Sequence, residues 1–385
     1  MKSKKTVTIL GSTGSVGKQA LDVIRKFPDR FKVVGLSAFN NTDLLREQIE
    51  EFKPDYYFCK EGTIEVQRSI FDFMIDEEPQ DKKSMGSLEE LASVDSDIVL
   101  LCVSGIAGLL PAMTTLKRGA TLAIANKEAI VAGGRHLKAA EAKYGGKIIP
   151  VDSEHNAIFN CIGNEIADVK SIILTCSGGA FRDYDKAKLA KITPEEALSH
   201  PTWKMGKKIT VDCATLFNKG LEIIEAMHLF QVTAGKVKVV QHKESIVHSL
   251  VEFNDNSMKA LLGVPDMRMA IENALFYPEV GGEVIAPLDL IKVGQLNFSE
   301  PNYELFPCLE IGRKAGIMGD GASIAVSAAD EIIVDSFLRG KIKFTDIPNK
   351  LEKVLYKFEN IQKIAFDDIL ALDGEARKFT YSLGV

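Results

Sequence analysis

Over its first 150 residues the chain alternates short apolar runs with helical patterns, and this alternation narrows the possible fold more than any other feature. The runs are Val7-Thr8-Ile9-Leu10, Lys32 to Leu36, Tyr56-Tyr57-Phe58, Asp97 to Val103, Thr121 to Ala125 and Lys147-Ile148-Ile149. Strands that are apolar on both faces and separated by helices belong in a parallel sheet covered on both sides. The expectation is an α/β, Rossmann-like, doubly wound parallel sheet over residues 1–150.

Further on, the pattern changes. Residues 151–280 read as an α+β catalytic domain, with strand candidates Ser171 to Thr175, Lys208 to Val211, Val237 to Val240 and Ser249 to Phe253, and a hairpin turn at Asn254-Asp255-Asn256-Ser257. Scattered Pro and Gly mark residues 281–307 as a linker, and residues 308–385 are helical by periodicity. Several domains suit a chain of 385 residues, which is too long for one ordinary core.

Between the first strand and its helix lies Gly11-Ser12-Thr13-Gly14-Ser15-Val16-Gly17. Val16, Ala20, Val23 and Ile24 form one apolar helix face, so the glycines stand where a pyrophosphate meets a helix N-terminus. The spacing departs from G-x-G-x-x-G, and glycine turns without a ligand are common. After the second strand, an NAD-selective site offers an acidic residue to the ribose 2′-hydroxyl. Here Ser37-Ala38-Phe39-Asn40-Asn41 has none, and Asn40 and Asn41 ahead of a helix beginning near Thr42 favour NADP.

The formal net charge of −6 argues against a general nucleic-acid binder. Six cysteines without a C-x-x-C pair read as reduced thiols rather than a zinc site. Only Ser3 to Thr6 separate Met1-Lys2 from the first apolar run, and no apolar run reaches the ~18 residues of a spanning helix. A cytoplasmic location is the resulting expectation.

The chemistry concentrates in Pro150-Val151-Asp152-Ser153-Glu154-His155, where a strand runs out. In extended backbone, i and i+2 point to one side, so Asp152 and Glu154 can reach one cation, and oxygen donors suit Mg²⁺ or Mn²⁺. The competing reading is an ordinary helix N-cap. Glu222 and Glu225 lie three apart in Asn218-Lys219-Gly220-Leu221-Glu222-Ile223-Ile224-Glu225, which is a solvated helix face by default; beside the first pair, Glu222 can complete a three-carboxylate site. Ser177-Gly178-Gly179 can cradle a phosphate. His200-Pro201-Thr202-Trp203-Lys204-Met205-Gly206 reads as a polar flap.

Taken in order with Ala125-Asn126-Lys127-Glu128, Ser177-Gly178-Gly179-Ala180-Phe181-Arg182 and Pro265-Asp266-Met267-Arg268, these motifs resemble the 1-deoxy-D-xylulose 5-phosphate reductoisomerase family from residue 6 to about 280. The resemblance implies an NADPH-dependent enzyme, usually a homodimer, that converts 1-deoxy-D-xylulose 5-phosphate to 2-C-methyl-D-erythritol 4-phosphate in the non-mevalonate isoprenoid route. It uses Mn²⁺ or Mg²⁺, with Co²⁺ also chemically admissible. By position, Asp152, Glu154 and Glu222 would bind the metal, with Lys127 beside it as a fourth catalytic residue. Ser153, Ser177, His200, Trp203, Met205, Cys213, Asn218 and Lys219, together with Glu154 and Glu222, would meet the substrate. Thr13, Gly14, Ser15, Val16, Asn40, Asn41, Asn126, Lys127, Glu128 and Gly206 would meet the cofactor.

Two positions depart from the family pattern. Cys213 stands where a phosphate-binding Ser is usual, and Asn40 where many relatives carry Lys or Arg. The competing functions are an NADP-dependent dehydrogenase of another phosphorylated hydroxy-ketone and a non-catalytic NADP(H) sensor. The three carboxylates with Ser177 and Lys219 speak against the sensor, which needs no metal and phosphate site.

Overall fold

A computed structural model describes residues 3–61, 83–163, 165–199, 201–203 and 205–385. By contacts the chain divides into two compact units, one of residues 1–126, 139–151 and 267–284, the other of residues 127–138, 152–266 and 285–385.

The first unit is built on β1 (Lys5–Leu10), β2 (Phe31–Ala38), β3 (Tyr56–Cys59), β4 (Lys83–Ser84), β5 (Ile98–Leu101), β6 (Thr121–Ile124) and β7 (Lys147–Pro150). They form one sheet in the order β4-β3-β2-β1-β5-β6-β7, with every ladder parallel. Val7, Ile9, Leu36, Val99 and Leu100 are completely or almost completely buried, as the two-sided apolar runs require. The doubly wound α/β expectation therefore holds. Strand order reverses at β1, which has β2 on one side and β5 on the other, and the glycine loop after β1 opens at this switch point. The helix Ser15–Lys26 that follows buries Ala20, Leu21, Val23 and Ile24.

Residues 267–284 follow the hairpin in sequence but pack within the first unit. Phe276, near the end of the helix Met267–Phe276, meets Phe27 and Phe31 edge to face, each at 5.0 Å between centroids. Lys5 Nζ donates to the carbonyls of Phe276 at 3.0 Å and Tyr277 at 2.8 Å, placing a cation on that helix's C-terminal end.

The second unit holds β8 (Val169–Cys176), β9 (Val237–Gln241), β10 (Val247–Phe253) and β11 (Met258–Leu262), in the order β11-β10-β8-β9. Only the β8–β9 pair is parallel. The helix Ser153–Ile162 covers β10, and the helix Phe217–Phe230 crosses the helix Cys308–Met318. Further long helices are Asp320–Leu338, Asp346–Lys357 and Ile369–Ser382, and residues 127–138 are the first part of the helix Lys127–Tyr144.

One expected strand is a helix. Lys208 to Val211 lie in the helix Lys207–Thr215, capped by Gly206, whose carbonyl accepts from Thr210 Oγ1 at 2.8 Å. A four-residue run with β-branched residues carries too little period to separate strand from helix, and in the fold Lys208 pairs with Asp212 one turn on and with Asp330 far along the chain. Within residues 281–307 a short helix, Leu290–Val293, starts at Asp289, whose carboxylate accepts from the Ile291 and Lys292 N–H groups at 3.0 and 3.2 Å.

Candidate active site

In the first unit the glycine loop is anchored to the end of β2. Gly11 N–H donates to Ser37 Oγ at 2.9 Å and Ser12 N–H to the Ser37 carbonyl at 2.8 Å. Thr13, Gly14, Ser15 and Val16 lie at or near the surface. Gly14 caps the helix Ser15–Lys26 without a side-chain hydrogen bond, and its first turn holds no acidic residue, so its N–H groups suit an anion. Asn126 is buried, and its Nδ2 donates to the Val103 and Gly105 carbonyls at 2.8 and 2.9 Å. That side chain pins the loop after β5. Asn40 and Asn41 are exposed; Asn41 Oδ1 accepts from Leu44 N–H at 3.2 Å and so caps the next helix, Thr42–Phe52.

Within the second unit the predicted carboxylates meet. Asp152 ends an extended stretch as the N-cap of the helix Ser153–Ile162, and Glu154 lies in its first turn. Glu222 arrives on the helix Phe217–Phe230 with no exposed surface. Two ammonium groups are threaded among them. Lys127 Nζ pairs with Asp152 and stands 3.4 Å from Glu225 Oε2 and 3.7 Å from Glu222 Oε1. Lys219 Nζ pairs with Glu154 and lies 2.6 Å from Glu222 Oε2, while Asn218 Nδ2 donates to Glu222 Oε1 at 2.6 Å. Ser153 Oγ donates to Glu154 Oε2 at 2.5 Å.

Burial and the neighbouring Glu154 push the Glu222 carboxyl up to about 8. For Asp152 burial acts in the same direction and is the largest single effect, but Lys127, His155 and Lys219 together outweigh it and hold the group well below the usual carboxylate range. Burial works against the Lys219 charge, and Glu154 and Glu222 prevail, raising its ammonium above the ordinary value. A cluster of three carboxylates, one fully buried and disfavoured as an anion and two half-buried, is suited to a bound dication, which compensates the charge. Ligand atoms of Asp152, His155 and Glu222 lie within 4.8 Å of one another. The donor set, mainly carboxylate oxygen, fits Mg²⁺ or Mn²⁺.

The phosphate-site candidates gather close by in the same unit. Ser177 follows β8, and its Oγ accepts from Gly179 N–H at 3.2 Å. Gly179 has φ +71°, and a Cβ there would stand 2.3 Å from the Cys213 carbonyl oxygen, so only glycine lets this loop close on the helix Lys207–Thr215. Cys213 is half-buried on that helix; Asn218 and Lys219 lie just beyond the corner at Leu216, whose φ is +59°. Trp203 and Met205 are half-buried, with the Trp203 ring edge-on to His248 at 6.3 Å. Gly206 begins the helix Lys207–Thr215. His200 lies outside the described residues. Glu128 is half-buried, with Oε1 3.9 Å from Lys208 Nζ.

Sequence reasoning left several partners unassigned. His155 is fully buried; its Nε2 lies 2.9 Å from the Glu222 carbonyl oxygen and its Nδ1 3.3 Å from Asp152 Oδ2. Burial opposes the imidazolium, yet Glu225 and Asp152 raise His155 to about 9. Glu225, spaced three from Glu222, was visible as a helix neighbour but not as the carboxylate facing Lys127. Lys208 Nζ is 2.7 Å from both Asp212 Oδ2 and Asp330 Oδ2, which joins the helix Lys207–Thr215 to the helix Asp320–Leu338. No local pattern links positions so far apart in sequence.

Residues 7–134 match the family described as 1-deoxy-D-xylulose 5-phosphate reductoisomerase, and residues 148–230 and 262–379 match two C-terminal domain families of that enzyme. A 1-deoxy-D-xylulose 5-phosphate reductoisomerase of Caldanaerobacter subterraneus subsp. tengcongensis is 44% identical over 376 residues, spanning 97% of this chain and 98% of the relative. Among solved structures, a DOX-P reductoisomerase in complex with NADPH, fosmidomycin and magnesium superposes with a TM-score of 0.91 at 36% identity, over 98% of both chains. The Zymomonas mobilis reductoisomerase in complex with NADPH gives 0.88 at 36% identity, over 99% of both.

Proposed function

The chain belongs to the 1-deoxy-D-xylulose 5-phosphate reductoisomerase family, and from that premise we propose how its own residues serve the family's reaction. It is an NADPH- and divalent-metal-dependent enzyme that rearranges and reduces 1-deoxy-D-xylulose 5-phosphate to 2-C-methyl-D-erythritol 4-phosphate for isoprenoid synthesis. When bound, the divalent ion supplies Lewis acidity for the skeletal rearrangement and NADPH supplies the hydride.

The observation that carries the assignment is the cluster of Asp152, Glu154 and buried Glu222 with the buried Lys127 and Lys219. Asp152, Glu154 and Glu222 hold the ion. Lys127, held by Glu225, places a positive charge beside the reacting oxygens, and His155 braces Asp152 from behind. Ser177, Cys213, Asn218 and Lys219 hold the substrate phosphate; gripping it away from the reacting carbons orients them. Ser153 meets the substrate backbone, and Trp203 and Met205, with His200, cover it and exclude water. Thr13, Gly14, Ser15 and Val16 hold the cofactor pyrophosphate, Asn126 pins the loop after β5 in the same unit, and Glu128 and Gly206 of the second unit are cofactor contacts implied by the family.

Residues 1–150 form the NADPH-binding domain of this reading, residues 151–280 the catalytic domain, 281–307 a linker and 308–385 a helical domain. The substrate is a small molecule, and no helix among the described residues is long and apolar enough to cross a membrane. The same reading takes the enzyme as a cytoplasmic homodimer. Exposed apolar side chains at Leu290, Ile291 and Phe298 support a protein partner, as does Met258 on the sheet-edge strand β11.

NADPH oxidation with 1-deoxy-D-xylulose 5-phosphate, with and without Mn²⁺, tests the reading, with product analysis for the branched skeleton. Asp152→Asn and Glu222→Gln are expected to cut turnover by orders of magnitude while NADPH still binds. Full activity after exhaustive chelation would refute the metal role.

A further inference from the structure

Discrimination of NADPH from NADH needs a group that meets the ribose 2′-phosphate at the end of β2, where basic side chains usually serve. Residues Ser37 to Asn41 offer no cation. The fold brings one from the neighbouring strand. β3 runs parallel to β2 with Cys59 opposite Ala38, and the pairing continues past both strands: Lys60 N–H donates to the Ala38 carbonyl at 3.2 Å and Glu61 N–H to the Phe39 carbonyl at 2.7 Å. Lys60 therefore stands beside Phe39, and Glu61 beside Asn40. Its ammonium lies over the Phe39 ring, 5.2 Å from the centroid, and the ring itself is 53% exposed. A cation–π contact on an open ring limits the rotamers of the long side chain while leaving the charge at the surface. Of the carboxylates nearby in sequence, Glu61 adjoins Lys60, and Asp43 lies 3.5 Å from Arg46.

We propose that Lys60 is the specificity-determining residue that reads the 2′-phosphate, with Phe39 aiming it and Asn40 adding a neutral donor. This deepens the NADPH reading above and rests on it. The unusual Asn40 is then no loss of selectivity, because the charge is supplied one strand further out in the sheet.

The test is calorimetric titration of the full chain, without substrate, with adenosine 2′,5′-bisphosphate and with adenosine 5′-monophosphate. The unaltered chain is expected to prefer the bisphosphate. Lys60→Met should weaken bisphosphate binding on the order of tenfold, the scale of one charge-assisted contact, and leave monophosphate binding within about twofold. Lys60→Arg should keep the preference, and Arg46→Ala should not change it. Because Lys60 is exposed, all variants should keep the parent melting temperature. An intact preference in Lys60→Met, an equal loss for both ligands, or loss of preference in Arg46→Ala would overturn the proposal. Absence of 1-deoxy-D-xylulose 5-phosphate turnover is a separate result that would fall on the functional reading, since the titration contains no substrate.

Discussion

At the scale of single residues, the site shows how far side-chain identity carries. Asp152 and Glu154 were legible as close carboxylates at a strand end, although the extended backbone that would give them a common side is replaced by the first turn of the helix Ser153–Ile162, and Glu222 was legible beside Asn218 and Lys219. That Glu225 and His155 back them was not legible, since a buried contact partner is chosen by packing rather than by spacing. Cys213 is the residue whose role is most open to measurement. Burial pushes its thiol up, so the group stays neutral and donates only weakly. Cys213→Ser is expected to lower KM for the phosphorylated substrate by up to about tenfold, by restoring a hydroxyl donor worth roughly 1.4 kcal/mol. An unchanged KM with a lowered melting temperature would remove Cys213 from the phosphate site.

At the scale of elements, two supports hold the site in place. The helix Phe217–Phe230, which carries Asn218, Lys219 and Glu222, crosses the helix Cys308–Met318 with Gly220 against Gly312. A Cβ on Gly312 would come within 2.4 Å of Gly220 Cα, contact that only displacement of a helix can relieve. Gly312→Ala should therefore destabilise the protein by about 1–3 kcal/mol and also raise substrate KM, as thermal melts and steady-state kinetics on the same variant would show. The second support is the four-stranded sheet. Glu252 on β10 accepts from Lys170 at 2.8 Å, Ser171 at 2.6 Å and Lys238 at 3.2 Å, and these donors, Lys170 first, lower its carboxyl from 4.5 to about 2. A depressed folded-state value means that the contribution is complete above pH 4.5 and fades as pH falls towards 2. The stability advantage of the parent over Glu252→Gln should shrink across that window, and an advantage independent of pH would show that the bonds to Glu252 do not depend on its charge.

At the scale of the whole molecule, the prediction concerns assembly. Ile291 is 93% exposed and Leu290 57%, on the short helix Leu290–Val293. Sedimentation should give twice the chain mass of 42.2 kDa, and Ile291→Asp should shift the population towards the single chain; a monomer at all concentrations would refute the homodimer. The sequence by itself determined the parallel α/β layout of the first unit, the glycine loop at its switch point, the carboxylates and the family. Those features are written in short windows, as strand length, alternation and motif spacing. Tertiary structure alone decided that Lys208 to Val211 coil into a helix, that residues 267–284 pack through Phe276 against Phe27 and Phe31, and that Lys60 stands beside Phe39. Each of these depends on a partner far along the chain, through strand register, aromatic packing or the turn a neighbour imposes, and no local pattern encodes such a partner.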